Sequence, residues 1–258
     1  MNMSPNWYLA EPRLFSLATT VDAVEPIDTG GTAILCKETI FRPAGGGQPA
    51  DHGTLEIEGT SHIVVGIAKA SGRIRFEVPS LEKPPTPGTT VVQHLDTKRR
   101  DALSRLHTIQ HMLSAILARE APNTVPVSTG IAEDAGSAWV HVQDPGQELT
   151  KARIAAVDIA LRSAVLKEAP VRVSRAKSLA DAAAVHRKLF RIDPSITLGG
   201  KVRVVTIDGI DANCCSGTHW MSSNIGSYTL EAGYSGANIT LTVTLVPVWM
   251  YWFGDRLP

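Results

Sequence analysis

Leu106-His107-Thr108-Ile109-Gln110-His111-Met112-Leu113-Ser114-Ala115 is the stretch on which the reading of this chain turns. It lies in a run from Asp96 to Glu120 whose apolar residues include Leu103, Leu106, Ile109, Met112, Leu113, Ile116 and Leu117. That is the recurrence of about 3.6 residues that marks one face of an amphipathic helix. Asp96 or Thr97 can cap its start by accepting a bond from a free backbone N–H. His107 and His111 stand four apart, so their imidazoles project from adjacent turns of one face and can reach one metal ion. A second pair comes a hundred residues later, in Asn213-Cys214-Cys215-Ser216-Gly217-Thr218-His219, where Cys215 and His219 repeat the spacing. Three imidazoles and a thiolate form a donor set suited to zinc.

Working outward, the chain's 258 residues suffice for one large domain or two ordinary ones. A hydrophobic fraction of 43% and a charged fraction of 19% exclude a disordered chain. The 25 basic and 25 acidic residues balance, so no global field attracts nucleic acid. The balance is uneven locally: residues 151–205 hold twelve Lys and Arg against four acids, which permits a basic face. Three cysteines, Cys36, Cys214 and Cys215, are too few for a disulfide framework and favour metal over disulfide. There is no basic segment followed by an apolar core at the start, and the apolar run 239–253 is interrupted and too short to span a bilayer. The expectation is a cytoplasmic protein without a membrane segment. Oligomeric state is not fixed by length or composition.

Residues 1–95 read as an all-β unit, a small barrel or sandwich. Short runs recur at Thr32–Cys36, Gly53–Ile57, His62–Ile67, Ile74–Val78 and Thr89–His94, with Gly, Pro, Asp and Ser between them. The proline-rich 82–88 segment makes an exposed loop, and a boundary is expected at about residue 95. Residues 96–258 mix elements. Strands are expected at 125–127, 138–142, 171–173, 202–207, 228–230 and 239–246, and helices at 151–167 and 178–190, so the whole reads as α+β. The closing aromatic run 249–253 is expected to complete a core, the alternative being that it covers a partner.

Between these elements lies Phe41-Arg42-Pro43-Ala44-Gly45-Gly46-Gly47-Gln48-Pro49-Ala50-Asp51-His52-Gly53. It lacks the Gly-Lys-Ser/Thr ending of a phosphate-binding P-loop. It is either a strand-connecting turn that needs positive φ or a backbone surface that comes close to a polyanion or sugar.

The order Arg-Pro-Ala-Gly-Gly-Gly-Gln-Pro-x-Asp-x-Gly, then His107-x-x-x-His111, then Cys215-x-Gly217-Thr218-His219 resembles the AlaX family. These are free-standing homologues of the alanyl-tRNA synthetase editing domain, related also to that of threonyl-tRNA synthetase. The match covers about residues 30–228. The resemblance implies a small N-terminal β-barrel (1–95) carrying the glycine motif, then a zinc-containing α+β editing domain (96–258) of the alanyl/threonyl-tRNA synthetase type. It implies trans-editing, the hydrolysis of mischarged aminoacyl-tRNA that protects translation fidelity, and places zinc at His107, His111, Cys215 and His219. It also brings Gly45, Gly46, Gly47, Gln48 and Asp51 to the acceptor end of the tRNA. In relatives a polar side chain beyond the first histidine meets the hydroxyl of misplaced serine, and Ser128 or Thr129 occupies that region here.

Three departures stand out. The family commonly has Gly where Ser216 stands, Cys214 adds a second thiol, and the 235–240 stretch is uncharged where relatives are basic. Four protein ligands form a closed shell, as structural zinc has, so catalysis needs an open position or a metal that grips the substrate. No Ser/His/Asp set suggests an acyl-enzyme. Thr108 is expected to point away from the metal and to pack or cap. His52, His62, His94, His141 and His186 are expected to be structural or at the surface. A deacylase for another amino acid, a tRNA-binding module with structural zinc, and a small-molecule metallohydrolase are the other readings.

Overall fold

A computed structural model of the chain describes residues 6–27, 30–70, 73–79, 81–178, 180–182, 197–198 and 201–246. It divides into two compact units, Met1–Asp101 and Ala102–Pro258.

Among the described residues, the first unit has a single helical turn, α1 (Trp7–Ala10), followed by seven strands. These are β1 (Ser16–Pro26), β2 (Thr32–Cys36), β3 (Gly53–Ile57), β4 (Thr60–Ile63), β5 (Gly66–Ala70), β6 (Arg73–Val78) and β7 (Thr90–Leu95). They form one antiparallel sheet in the order β4-β3-β7-β1-β2-β6-β5. The two outermost strands are joined by only Val64 and Val65. The Val64 N–H donates to Gly53 O on the β3 side (3.0 Å), and the Val65 N–H to Glu77 O on the β6 side (2.8 Å). Consecutive amides therefore serve opposite ends of the sheet, which must curl to let them. No ladder joins β4 to β5 among the described residues. Inside the curl, Phe41 and Phe76 meet edge to face at 5.3 Å, packed with Ile34, Ile40 and Leu55. Alternate residues of β6 and β7 point inward, as a sheet with one buried face requires.

Two expectations are corrected here. The 62–67 run is two strands broken at Val64, because its residues pair with different neighbours. The longest strand, β1, has no counterpart in the reading, since Thr19, Thr20 and Asp22 interrupt its apolar pattern; it nonetheless lies between β7 and β2.

The boundary between units falls within α2 (Thr97–Glu120), whose start is capped by Asp96 Oδ1 accepting from the Arg99 N–H at 3.0 Å. The amphipathic reading of this helix is too modest. From Leu103 to Leu117 nearly every residue is buried, including Ser104, His107, Thr108, Gln110 and Ser114. A helix buried all round is a central element, and its polar groups need partners inside the protein.

The second unit also contains β8 (Val125–Ile131), β9 (Ser137–Gln143), α3 (Lys151–Leu166), β10 (Val171–Ala176), β11 (Thr197–Leu198), β12 (Lys201–Ile207), β13 (Asp211–Cys214), β14 (Tyr228–Ser235) and β15 (Asn238–Leu245). One antiparallel sheet runs β14-β15-β9-β8; in the other, β12 carries β10 on one edge and β13 and β11 in turn on the other. Ile109, Met112, Leu113 and Ile116 of α2 pack with Val157 and Leu161 of α3 and with Val140, Leu241 and Val243 of the first of these sheets. The mixture of helices and antiparallel strands is the α+β arrangement expected. No described helix is long and apolar enough to cross a membrane. The helix expected at 178–190 falls mostly outside the described residues, although Ser178 Oγ accepts from the Asp181 N–H as a helix cap would. The aromatic run 249–253 lies outside them altogether.

Candidate metal centre

α2 presents His107 and His111 one turn apart. β13 runs antiparallel to β12 and ends at Cys214, delivering Cys215 and the turn that leads to His219. One donor atom from each of His107, His111, Cys215 and His219 lies within 4.8 Å of the other three. Cys215 Sγ stands 3.4 Å from both His107 Nε2 and His219 Nε2. The imidazole centroids are 4.6–5.2 Å apart. A tetrahedral zinc with bonds of about 2.0 Å to nitrogen and 2.3 Å to sulfur separates its ligand atoms by roughly 3.3–3.6 Å. The donor set and the two distances from Cys215 Sγ therefore fit a tetrahedral metal. His107, Cys215 and His219 are buried, and His111 lies at the rim.

The electrostatics favour a metal at Cys215 and His219, while a metal at His111 would have to displace a proton. Burial works to raise the Cys215 thiol, but the His107 and His219 imidazoles prevail and hold it well below its ordinary value. Burial holds His219 well below the usual imidazole range, leaving it neutral. Burial also opposes charge on His111, but Asp211 and Cys215 raise it to about 10. Its Nδ1 lies 3.0 Å from Asp211 Oδ2, which also accepts from Asn213 Nδ2 at 2.5 Å. A carboxylate on the far nitrogen orients a ligand imidazole and increases its basicity.

Strand alternation settles which cysteine faces the cluster. Asp211, Asn213 and Cys215 are buried in turn, whereas Ala212 and Cys214 are half-buried and Cys214 packs against the Ala182, Val202 and Val204 cluster. The turn after Cys215 is held from beneath by buried Arg203, whose Nη1 donates to Cys215 O (2.6 Å) and Gly217 O (3.0 Å). The Gly217 N–H in turn points at Cys215 Sγ (3.2 Å). Asp211, Asn213 and Arg203 were not singled out by spacing to histidine. A period of two counted back from Cys215 would have found the first two.

The glycine motif belongs to the first unit. Gly45 and Gln48 exchange backbone bonds (3.0 and 3.1 Å) around Gly46 and Gly47, whose φ of +57° and +77° are those of a mirror-image hairpin turn. The buried Arg42 guanidinium supports the turn, donating to Gly45 O, Gln48 O and Pro43 O. Gly45–Gly47 are exposed; Gln48 and Asp51 are not, each being 2% exposed. Arg100 Nε reaches Asp51 Oδ1 at 2.9 Å and its Nη2 reaches Oδ2, which also accepts the Arg42 N–H. Asp51 is thus a buried tie between this loop and the first turn of α2. On β8, Ser128 is exposed and Thr129 half-buried. Gln110, between the two helix histidines, holds that strand by donating from Nε2 to Gly130 O at 2.8 Å.

Thr108 does more than pack or cap: its hydroxyl lies 3.2 Å from His219 Nδ1. Among the other histidines, His141 Nδ1 meets Thr240 Oγ1 at 2.8 Å and His94 lies beside Ser16 and Glu56. His186 lies outside the described residues.

No family model matches the chain. Individual relatives do. It is 28% identical over 199 residues to the alanyl-tRNA editing protein Aarsd1 of Bos taurus, an alignment covering 73% of this chain and 39% of that protein. It is 29% identical over 198 residues to the alanine–tRNA ligase of Thermoplasma acidophilum (76% of this chain, 22% of the ligase) and 30% identical to that of Caldivirga maquilingensis (73% and 21%). The chain thus spans about two fifths of the editing protein and about a fifth of the ligases. Over some three quarters of its length the chain is homologous to alanyl-tRNA editing proteins and to part of the alanine–tRNA ligases, the kinship expected of an AlaX-type chain.

Proposed function

We propose that this chain is a zinc-dependent trans-editing deacylase. It hydrolyses the ester joining a wrong amino acid to tRNA, most simply serine or glycine on the tRNA for alanine. The observation that carries the reading is the convergence of His107, His111, Cys215 and His219 within 4.8 Å in a chain related to alanyl-tRNA editing proteins.

In this reading the four side chains are the metal ligands, Cys215 among them, and bound zinc would supply Lewis acidity in place of an acyl-enzyme route. Asp211 holds His111 by its far nitrogen, and Arg203 holds the Cys215 turn, so the donor set is preorganised. The ester of an aminoacyl-tRNA is already activated, and positioning of ester and water contributes most of what remains. Selectivity falls to a hydroxyl on β8, Ser128 or Thr129. A site built to hydrogen-bond the serine hydroxyl rejects alanine because its own polar group is then left unpaired. Residues 1–95 form the small barrel domain and 96–258 the editing domain. Gly45, Gly46 and Gly47 offer bare backbone to the acceptor end of the RNA, with Gln48 and Asp51 shaping the turn from beneath. A cytoplasmic location belongs to the same reading.

The closed set of four protein donors favours one second reading, a tRNA-binding module whose zinc is structural. Incubation with tRNA for alanine carrying labelled serine, glycine or alanine separates the two. Deacylation predicts release of serine at least tenfold faster than alanine, and loss of both zinc and release in His111→Ala. Binding of the charged tRNA without release of any amino acid would leave the module.

A further inference from the structure

Two hydroxyl residues of α2, Ser104 and Thr108, occupy one face a turn apart, and the 218–220 segment lies along them. Ser104 Oγ donates to Thr218 Oγ1 at 3.0 Å. The Trp220 N–H is shared between Ser104 O (3.2 Å) and Thr108 Oγ1 (3.0 Å). Thr108 Oγ1 lies 2.9 Å from Ser104 O, one turn back, and 3.2 Å from His219 Nδ1. Thr108 and Thr218 are fully buried and Ser104 and His219 nearly so, so water does not compete for these bonds.

A threonine hydroxyl has one proton to give. The Ser104 carbonyl can only accept, and at 2.9 Å it is the nearer partner, so the proton of Thr108 goes there. The oxygen is then an acceptor for both the Trp220 N–H and His219 Nδ1. An imidazole that donates from Nδ1 keeps its lone pair on Nε2, and His219 Nε2 is the atom 3.4 Å from Cys215 Sγ.

We propose that Thr108, backed by Ser104, is a positioning residue that fixes His219 as the Nδ1–H tautomer and turns its Nε2 toward the metal. The inference rests on the reading of His219 as a metal ligand. It gives His219 a hydroxyl partner where His111 has the carboxyl group of Asp211, so the two imidazoles are oriented by different chemistry. It also explains why α2 buries hydroxyls among its apolar residues: they attach the segment that carries the fourth donor to the helix that carries the first two.

The test is Thr108→Val, which keeps the branched shape and removes the hydroxyl, set beside Thr108→Ser, which restores the hydroxyl alone. Loss of an outer partner of a ligand typically lowers metal affinity about 10- to 100-fold. Zinc affinity measured by chelator competition, without tRNA, should fall in that range for Thr108→Val and return to within about threefold of the parent for Thr108→Ser. The cobalt-substituted Thr108→Val protein should show an altered visible ligand-field spectrum. Parent affinity in Thr108→Val, or equal weakness in a folded Thr108→Ser, overturns the proposal. Should the valine variant not fold, nitrogen-detected NMR of the parent imidazoles still decides. A proton on His219 Nδ1, with and without zinc, supports the proposal, and a proton on Nε2 overturns it. Zinc bound tightly without ester hydrolysis would count against the deacylase and leave this assignment standing.

Discussion

At the scale of single residues, the three cysteines occupy three environments that chemistry can tell apart. Cys36 is buried in β2, and burial pushes its thiol up to about 12, against a smaller lowering by Gln93. Cys214 is half-buried with its thiol raised, and Cys215 is a ready thiolate among imidazoles. Iodoacetamide followed by peptide mass spectrometry should find Cys36 unmodified until the protein unfolds. Cys215 should be labelled only in metal-stripped protein, and Cys214 slowly whether or not zinc is present. Protection of Cys214 by zinc in place of Cys215 would reverse the ligand assignment. Cys36 carries a pH consequence as well. Below about pH 9 both folded and unfolded chains hold its proton; above that the unfolded chain releases it while the fold retains it to about 12. Stability falls as pH rises through that window, by at most about 1.4 kcal/mol per pH unit. Cys36→Ala should flatten the alkaline limb of a denaturation series. The four cluster residues were legible in the sequence because each pair shares one turn or one strand end. Arg203 and the contact of Thr108 were not, since they depend on how separate segments come to face, whereas Asp211 was within reach of the period of two that ends at Cys215.

At the scale of elements, the glycine loop and α2 are joined by a buried ion pair. Arg100 and Asp51 are each about 1% exposed at the side chain, and Arg100 also donates to Pro12 O and Ile40 O. Removing one partner of such a pair leaves a buried charge uncompensated and costs about 3–5 kcal/mol. Asp51→Asn should therefore lower the urea midpoint of the first unit markedly, and Arg100→Met should do the same. Were Asp51 instead a substrate contact, its replacement would raise KM for charged tRNA and leave the midpoint in place, so one variant and two measurements settle its role. The sequence conveyed β2 and β3 to the residue, because β2 is a compact apolar run and β3 an alternating one, each closed by turn residues. It conveyed α2 almost as well, through a period sustained over many turns. It failed at β1 and at the β4–β5 break, where pairing partners decide the strand and the residues themselves are ambiguous.

At the scale of the molecule, the metal reading makes stability unequal between the two units. Every candidate ligand lies in Ala102–Pro258, as do Asp211, Arg203 and Thr108, and none lies in Met1–Asp101. A metal that binds only the folded form stabilises it by about 4 kcal/mol when present at a thousand times its dissociation constant. The increment should be felt first where the ligands are anchored: in the middle of α2, along β12 and β13, and in the 215–220 turn. Hydrogen exchange read by mass spectrometry, before and after removal of zinc by a chelator, should show faster exchange in those segments. The amides of β2, β6 and β7 should keep their rates, since Phe41, Phe76 and Ile34 hold that sheet without help from the cluster. Returning zinc should restore protection in the same segments and in the same order of affinity as the ligand variants. Equal loss of protection in both units would mean that they open as one. A change confined to the ends of the chain would place the metal somewhere other than these four side chains.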